Sequence, residues 1–475
     1  MPPRNFNVVF FAIVISLLCH VTYRKNRSAS ILGEAIDLIE KNYIADVDRD
    51  SLLTAAMKGM VGTLDEHTSY FEVDAYESFQ DSMHQEFVGV GISVNQPSPD
   101  EPVKILSPLV GSPALRAGVL PNDRIVGIDG EDVSEMDLSD VIKRLKGLPN
   151  TEVVMTVRRG DEEISMSIAR ARIETESVFG DHRDENDRWV YRLEDEPSIA
   201  YIRVASFADR TVDELGDVLL DLNNDFSGLV LDLRGNGGGL LYAARDVCDM
   251  FLSSGDIVST RDREGIVVDK FQATNRTLVD ERIPVAILID QNSASASEIV
   301  AAAIQDNERG IVVGMRSYGK GTVQEILPLE YGRRALRLTV ARYFRPNNEN
   351  IHRMPDDTEA DTWGVTPNQG FAVPMTIDDM VALRIRHNRA TYPRFDGLEI
   401  AFEPLATVTE SDSEEEASPS QQTADEISAV AESNVQRGPE SLAFDPPLRA
   451  AVGALLGSST ARDAEASSEM LVPAN

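Results

Sequence analysis

At 475 residues the chain is long enough for two or three domains, and a 42% hydrophobic content supplies packed cores. Its formal net charge of −34 excludes a nucleic-acid partner, whose phosphates such a surface would repel. The two cysteines, Cys19 and Cys248, lie far apart and none of the six histidines pairs at ligand spacing, so neither a disulfide framework nor a metal site is expected.

Residues 1–27 read as a signal anchor or signal peptide. Arg4 precedes an apolar run over 8–19, extended through Tyr23, and Arg24, Lys25 and Arg27 follow. The run is borderline for a span, which needs about 20 residues. No small-x-small cleavage site follows it, which favours an uncleaved anchor over a cleaved signal. Residues 28–72 form a helical N-terminal segment: Ile31, Ala35, Leu38 and Ile39, and then Leu52, Leu53, Ala56, Met57 and Met60, recur at helical spacing. Residues 73–172 read as a small β-rich module. Strands are predicted over 103–106, 124–128 and 153–157, with an amphipathic helix over 139–145. The phrases Gly111-Ser112-Pro113-Ala114 and, from Ala117 to Ile125, AGVLPNDRI resemble a PDZ domain. That resemblance makes Gly89, Val90, Gly91 and Ile92 the carboxylate-binding loop. Backbone N–H groups there hold a terminal carboxylate while the peptide adds as a strand.

Residues 173–395 form the next domain. A strand is predicted over 199–204, a helix over 212–222, and a continuous apolar strand over 229–233, buried on both faces. It ends in Arg234-Gly235-Asn236-Gly237-Gly238-Gly239, a run that lets backbone N–H groups face a cleft. No Gly-Lys-Ser/Thr follows, and the glycine spacing does not fit a dinucleotide site. Asp232 and Arg234 read as structural. A buried strand over 285–290 turns through Asn292-Ser293-Ala294-Ser295-Ala296-Ser297-Glu298 into an Ala-rich helix over 299–305. A strand over 311–314 runs into Ser317-Tyr318-Gly319-Lys320-Gly321-Thr322-Val323-Gln324. Residues 336–344 alternate as a strand, and the polar insert over 347–362 reads as a solvated loop.

A serine among small residues at a helix start suits a nucleophile. The N–H groups of the first helical turn have no intrahelical partner and can hold an oxyanion. A serine needs a base. A lysine serves only when desolvation lowers it from its free value of about 10.4. The segments SASASE and SYGKGTVQ together resemble the signature of the C-terminal processing peptidases, also called tail-specific proteases. The resemblance implies Ser295 as nucleophile, Lys320 as general base and Gln324 as the residue that orients the lysine. It also makes the glycine loop part of an oxyanion hole, with Gly237 and Gly238 alongside the N–H of Ala296. Asn42-Tyr43, the stretch over 64–71 and the stretch over 363–368 resemble other parts of the family, with Glu66 where proline is more usual. His67 reads as a cap or turn residue and stays as a rival base. The resemblance covers roughly residues 30–370 and implies polypeptide substrates with unstructured C-terminal tails and no cofactor.

Residues 396–475 are an acidic, mostly disordered tail: from Pro404 onward 13 acidic residues face 3 basic ones. Asp445-Pro446-Pro447 opens an apolar stretch to Leu456, a helix-start signal that places a short docking helix near 446–456, with the body, a partner or the chain's own PDZ groove as its target. The expected fold class is α/β in a mixed α+β arrangement: helical N-terminal segment, PDZ domain and serine protease core. The expected function is a serine endopeptidase anchored in the inner membrane, facing the periplasm, with substrate tails and the membrane as partners. An activating partner is compatible with this domain order. The alternatives are a non-catalytic PDZ adaptor, an activator-dependent protease on the same fold, and an acyl-CoA enzyme on a related core.

Overall fold

The structure, a computed structural model, describes residues 10–11, 27–393, 395, 442 and 444–469, with 458–469 as backbone alone. Most of the apolar run over 8–23 and the acidic stretch after residue 395 lie outside the described residues. Among the described residues no helix is long and apolar enough to cross a membrane. The chain divides into two units, residues 1–77 with 324–340 and residues 78–323 with 341–475.

The first unit is helical with a small antiparallel sheet. Helix Arg49–Val61 starts where the Asp48 carboxylate accepts the Ser51 N–H at 2.9 Å, filling a donor that the first turn leaves orphaned. Strand Ser69–Phe71 pairs antiparallel with residues 335–337 of strand Arg334–Phe344, which also pairs with Thr322–Leu329. The Asp65 carboxylate accepts the N–H groups of His67 and Thr68, each at 2.9 Å, shaping the turn before that strand.

The second unit holds two cores. In the first, strands Ile92–Asn95, Lys104–Pro108, Arg124–Ile128, Glu152–Arg159 and Glu162–Ala169 form one antiparallel sheet in that order. Val90, Ile105, Ile125 and Met155 are buried against Val141 and Leu145 of helix Leu138–Leu145. Gln96 ties the helix to the end of the first of these strands, accepting the Leu138 N–H at 2.9 Å. Glu86–Gly89 pairs instead with Ala171–Glu174.

The second core is a five-stranded sheet whose spatial order is its chain order: β1 (Val178–Phe179), β2 (Ile199–Val204), β3 (Gly228–Asp232), β4 (Val285–Ile289) and β5 (Ile311–Gly314). β1 is antiparallel to β2, and β2 to β5 are parallel. Every residue of β3 and β4 is buried, because both faces are covered. Helices α1 (Thr211–Leu222), α2 (Leu241–Asp249) and α3 (Ala296–Asp306) bury Leu215, Val247 and Ile299 against Ile202, Leu231 and Ile287. On the other face, α5 (Pro446–Glu469) lays Leu448, Ala451, Val452 and Leu455 on Tyr201, Val230, Ala286 and Leu288. These four recur at i, i+3, i+4 and i+7, one stripe of a helix. In chain order between α3 and α5, α4 (Ile377–Thr391) is capped by Thr376, whose hydroxyl accepts the Asp379 N–H at 3.2 Å.

Sequence periodicity finds the strands over 199–204, 124–128 and 311–314 at their observed bounds. Val90 and Gly91 separate strand Glu86–Gly89 from strand Ile92–Asn95. Helices α2 and α4 and the strands Glu162–Ala169, Asp256–Arg261 and Val267–Gln272 carry no clear sequence signal. Val267–Gln272 is mostly exposed, so nothing enforces an apolar alternation there.

Candidate active site

Parallel strands deliver the chemistry to one end of the second core. β3 and β4 are neighbours, so the glycine loop leaving β3 and the serine turn leaving β4 emerge side by side. The two turns are laced together. Asn236 O accepts the Ala294 N–H at 3.0 Å and the Ser297 hydroxyl at 2.9 Å. The Ser293 hydroxyl donates to Leu233 O at 2.8 Å and accepts the Asp290 N–H. The alternating serines thus have separate tasks: Ser293 and Ser297 tie the turn to the glycine loop, and Ser295 stands between them.

Ser295 precedes α3 with φ 55° and ψ −110°. A non-glycine residue in such a conformation costs about 1–3 kcal/mol and is held by its surroundings. The holding group is Glu298, one turn into α3 and fully buried. Its Oε2 accepts the N–H of Ser295 at 2.7 Å and the N–H of Lys320 at 2.9 Å. Its Oε1 accepts the Ser317 hydroxyl at 2.6 Å and the Gly319 N–H at 2.7 Å. Burial raises this carboxyl to about 7, against the four hydrogen bonds that favour its charged form. One carboxylate therefore joins the backbone of the serine turn to the backbone of the lysine loop.

The lysine loop, residues 317–321, is braced from outside. Val365 N–H donates to Ser317 Oγ at 2.7 Å, and Arg353 N–H donates to Gly319 O at 2.8 Å. Arg316 and Arg353 both stack on Trp363, at 3.7 and 4.3 Å from the ring centroid. The insert over 347–362 is thus partly a packing element, with Ile351 fully buried, rather than only a solvated loop. Lys320 itself is half-buried. Tyr343 lies buried beside Ser295, hydrogen-bonded to its side chain, and burial raises the phenol to about 12.

The glycine loop sits against the serine. A Cβ on Gly238 would stand 2.8 Å from the Ser295 Cβ and 3.0 Å from the Ala296 nitrogen, and its φ of +104° is open only to glycine. Its N–H is already engaged by Asn236 Oδ1 at 2.8 Å, so Gly238 supplies close approach rather than a free donor. The N–H groups of Gly237 and Ala296 meet no acceptor among the described residues. Gly237 is exposed, and a Cβ there would meet nothing within 4 Å.

Gln324 and His67 belong to the first unit. Gln324 Nε2 donates to Thr339 Oγ1 at 3.2 Å. His67 Nε2 lies 3.5 Å from Glu66 Oε1. In the PDZ-like core, Gly91 has φ +79° and packs so closely that a Cβ would lie 2.5 Å from Ser112 Cβ. Val90 O accepts the Ala114 N–H at 2.9 Å and Gly91 O accepts the Leu109 N–H at 3.0 Å. Both carbonyls of the turn are thereby pointed inward. Strand Ile92–Asn95 pairs on one side only among the described residues. Ser93 on that strand meets the Tyr392 hydroxyl at 3.1 Å.

Sequence reading left Glu298 without a role. Its signal was present, since a serine followed three residues later by glutamate at a helix start is a capping pattern. Asn236 and Tyr343 had no comparable signal, because their contacts come from distant parts of the chain.

Residues 198–369 match the model of peptidase family S41, and residues 104–159 match that of a PDZ domain. The chain is similar to a carboxy-terminal-processing protease of Bartonella bacilliformis, with 36% identity over 71% of this chain and 73% of that protein. It is also similar to the carboxy-terminal processing protease CtpB of Bacillus subtilis, with 31% identity over 69% of this chain and 66% of that one. Among solved structures, a photosystem II D1 C-terminal processing protease aligns over 72% of this chain and 92% of its own, at 26% identity and a TM-score of 0.40. Fold and matches together define a serine protease with a PDZ domain. The chain belongs to the carboxy-terminal-processing protease family.

Proposed function

We propose that this protease uses Ser295 and Lys320 as a catalytic dyad, with Gln324 orienting the lysine, and acts on polypeptides whose free C-terminal tails the PDZ domain binds. Lys320 takes the proton from Ser295 Oγ as it attacks the scissile carbonyl. The tetrahedral oxyanion is held by the N–H groups of Ala296 and Gly237, while Gly238 lets the loop lie close to the serine. The protonated lysine then gives its proton to the leaving amine, and water, deprotonated by the same lysine, releases the acyl group. The tail carboxylate is held by the N–H groups of the loop over 89–92, and the peptide extends along Ile92–Asn95. The N-terminal apolar run anchors the chain in the inner membrane with the protease outside the cytoplasm.

The observation that carries the dyad is Glu298, whose single carboxylate binds the N–H of both Ser295 and Lys320. The test uses the chain from Ser28 onward with an unfolded protein ending in an apolar tail. Cleavage by the unaltered chain, lost in both Ser295→Ala and Lys320→Ala, supports the dyad. Cleavage that survives Lys320→Ala but not Ser295→Ala moves the base elsewhere, first to His67. Release of the chain from the membrane fraction on removing residues 1–27 tests the anchor.

A further inference from the structure

Arg234, the residue that opens the glycine loop, is enclosed between two carboxylates. On one side Asp232 accepts from its Nε at 2.9 Å and its Nη2 at 2.6 Å. On the other, Asp445 accepts from Nη1 at 2.7 Å and Nη2 at 2.8 Å. All three side chains are essentially buried. Burial pushes Asp232 upward, but the Arg234 guanidinium outweighs it and holds the carboxyl below its ordinary range. Asp232 also accepts the Tyr201 hydroxyl at 2.8 Å.

Asp445 lies 211 residues away in sequence, beyond the acidic tail. It arrives there as part of a docked element. Its Oδ1 also accepts the Leu448 N–H at 3.0 Å, so the same carboxylate caps α5 and binds the arginine. Gly228 makes room for that helix, since a Cβ there would stand 3.0 Å from Leu455 Cβ. Without Asp445, Arg234 Nη1 would keep only the Met375 sulfur, at 3.8 Å. An arginine that loses half of a bidentate cage inside a protein moves toward whatever acceptor or water it can reach. Its own backbone leads in one step to Gly235, whose N–H is held by Asp290 at 2.9 Å, and then to Asn236 and Gly237.

We infer that Asp445 is a positioning residue of this protease: the C-terminal segment, docked on the core sheet through α5, fixes Arg234 and through it the glycine loop beside Ser295. The inference rests on the reading of that loop as part of the acylation site. The chain's own C-terminal region is thus needed for turnover, although it lies outside the segment that matches the peptidase family.

The experiment compares the full chain with Asp445→Ala and Asp445→Asn, using a tailed protein substrate and a short peptide. Val218→Ala, a cavity in α1 that removes no hydrogen bond of the site, serves as the stability control. The expected result is a kcat lowered about tenfold or more in Asp445→Ala, with KM within about twofold, because the loop acts on the transition state and not on tail binding. Asp445→Asn keeps the shape and the cap, so it folds, and it falls between the two. Amide exchange over residues 235–239 is expected to quicken in both variants while that of β4 does not. An unchanged kcat with unchanged exchange overturns the inference. So does a loss of kcat that Val218→Ala reproduces at matched thermal stability. If the unaltered chain cleaves nothing, the amide exchange still decides the positioning claim, and the failure belongs to the proposed function.

Discussion

A carboxylate taken out of water costs several kcal/mol unless its lone pairs are filled. Glu298 fills its four with the Ser295, Ser317, Gly319 and Lys320 donors. Glutamine at this position keeps the shape but turns an NH2 toward two of those donors. Glu298→Gln is therefore expected to lower kcat about tenfold or more with little change in KM, as measured on a short peptide. Its stability follows pH with a definite sign. The folded carboxyl, raised from 4.5 to about 7, binds a proton that the unfolded one releases. The contribution is thus fully present below about pH 4.5 and is lost as pH rises through about 7, a difference of roughly 3 kcal/mol for so buried a group. Urea unfolding of the unaltered chain and of Glu298→Gln across that window isolates it. The gap between the two should shift by about that amount in favour of the variant as pH rises, and a gap that stays constant removes the carboxyl from this role.

Elements were legible to the degree that burial was symmetric or periodic. The runs over 229–233 and 285–290 contain almost nothing but apolar residues, and the sheet explains why: helices α1 to α3 lie on one face and α5 on the other. The helix near 446–456 was legible, but the face it covers was not, because it returns from beyond a long acidic stretch. The signal for it was local: Asp before two prolines and an apolar run to Leu456, in a helix that reaches Glu469. The serine turn was legible as chemistry, and the Ser295–Glu298 spacing carried the capping bond that holds it, but the bonds from Glu298 to Ser317, Gly319 and Lys320 follow from no spacing. The docked helix makes its own prediction. Leu455 is 2% exposed and fills the notch at Gly228. Leu455→Ala should cost about 2–5 kcal/mol in urea unfolding, the price of a core cavity. Gly228→Ala should cost about 1–3 kcal/mol by crowding Leu455 and Ile199 instead. If both changes left unfolding untouched, α5 would not be packed on the sheet in solution.

At the scale of the whole chain, the PDZ core and the protease core are separate hydrophobic bodies. Their separate hydrophobic clusters share no residue, so a change in one need not disturb the folding of the other. In the PDZ core, Gly91 is the position where the backbone must approach Ser112 and where φ is +79°. A valine there cannot adopt that turn without moving the loop over 89–92 that presents its N–H groups. Gly91→Val is expected to raise KM for a tailed protein about tenfold or more, with the same change lost when the substrate carboxylate is amidated. A short peptide without a tail separates two roles for the domain. If its kcat is unchanged in Gly91→Val, the PDZ domain only gathers substrate. If its kcat falls although no tail is present, the loop also sets the geometry of Ser295 and Lys320. If KM for the tailed substrate does not move at all, the loop over 89–92 is not where the tail is read.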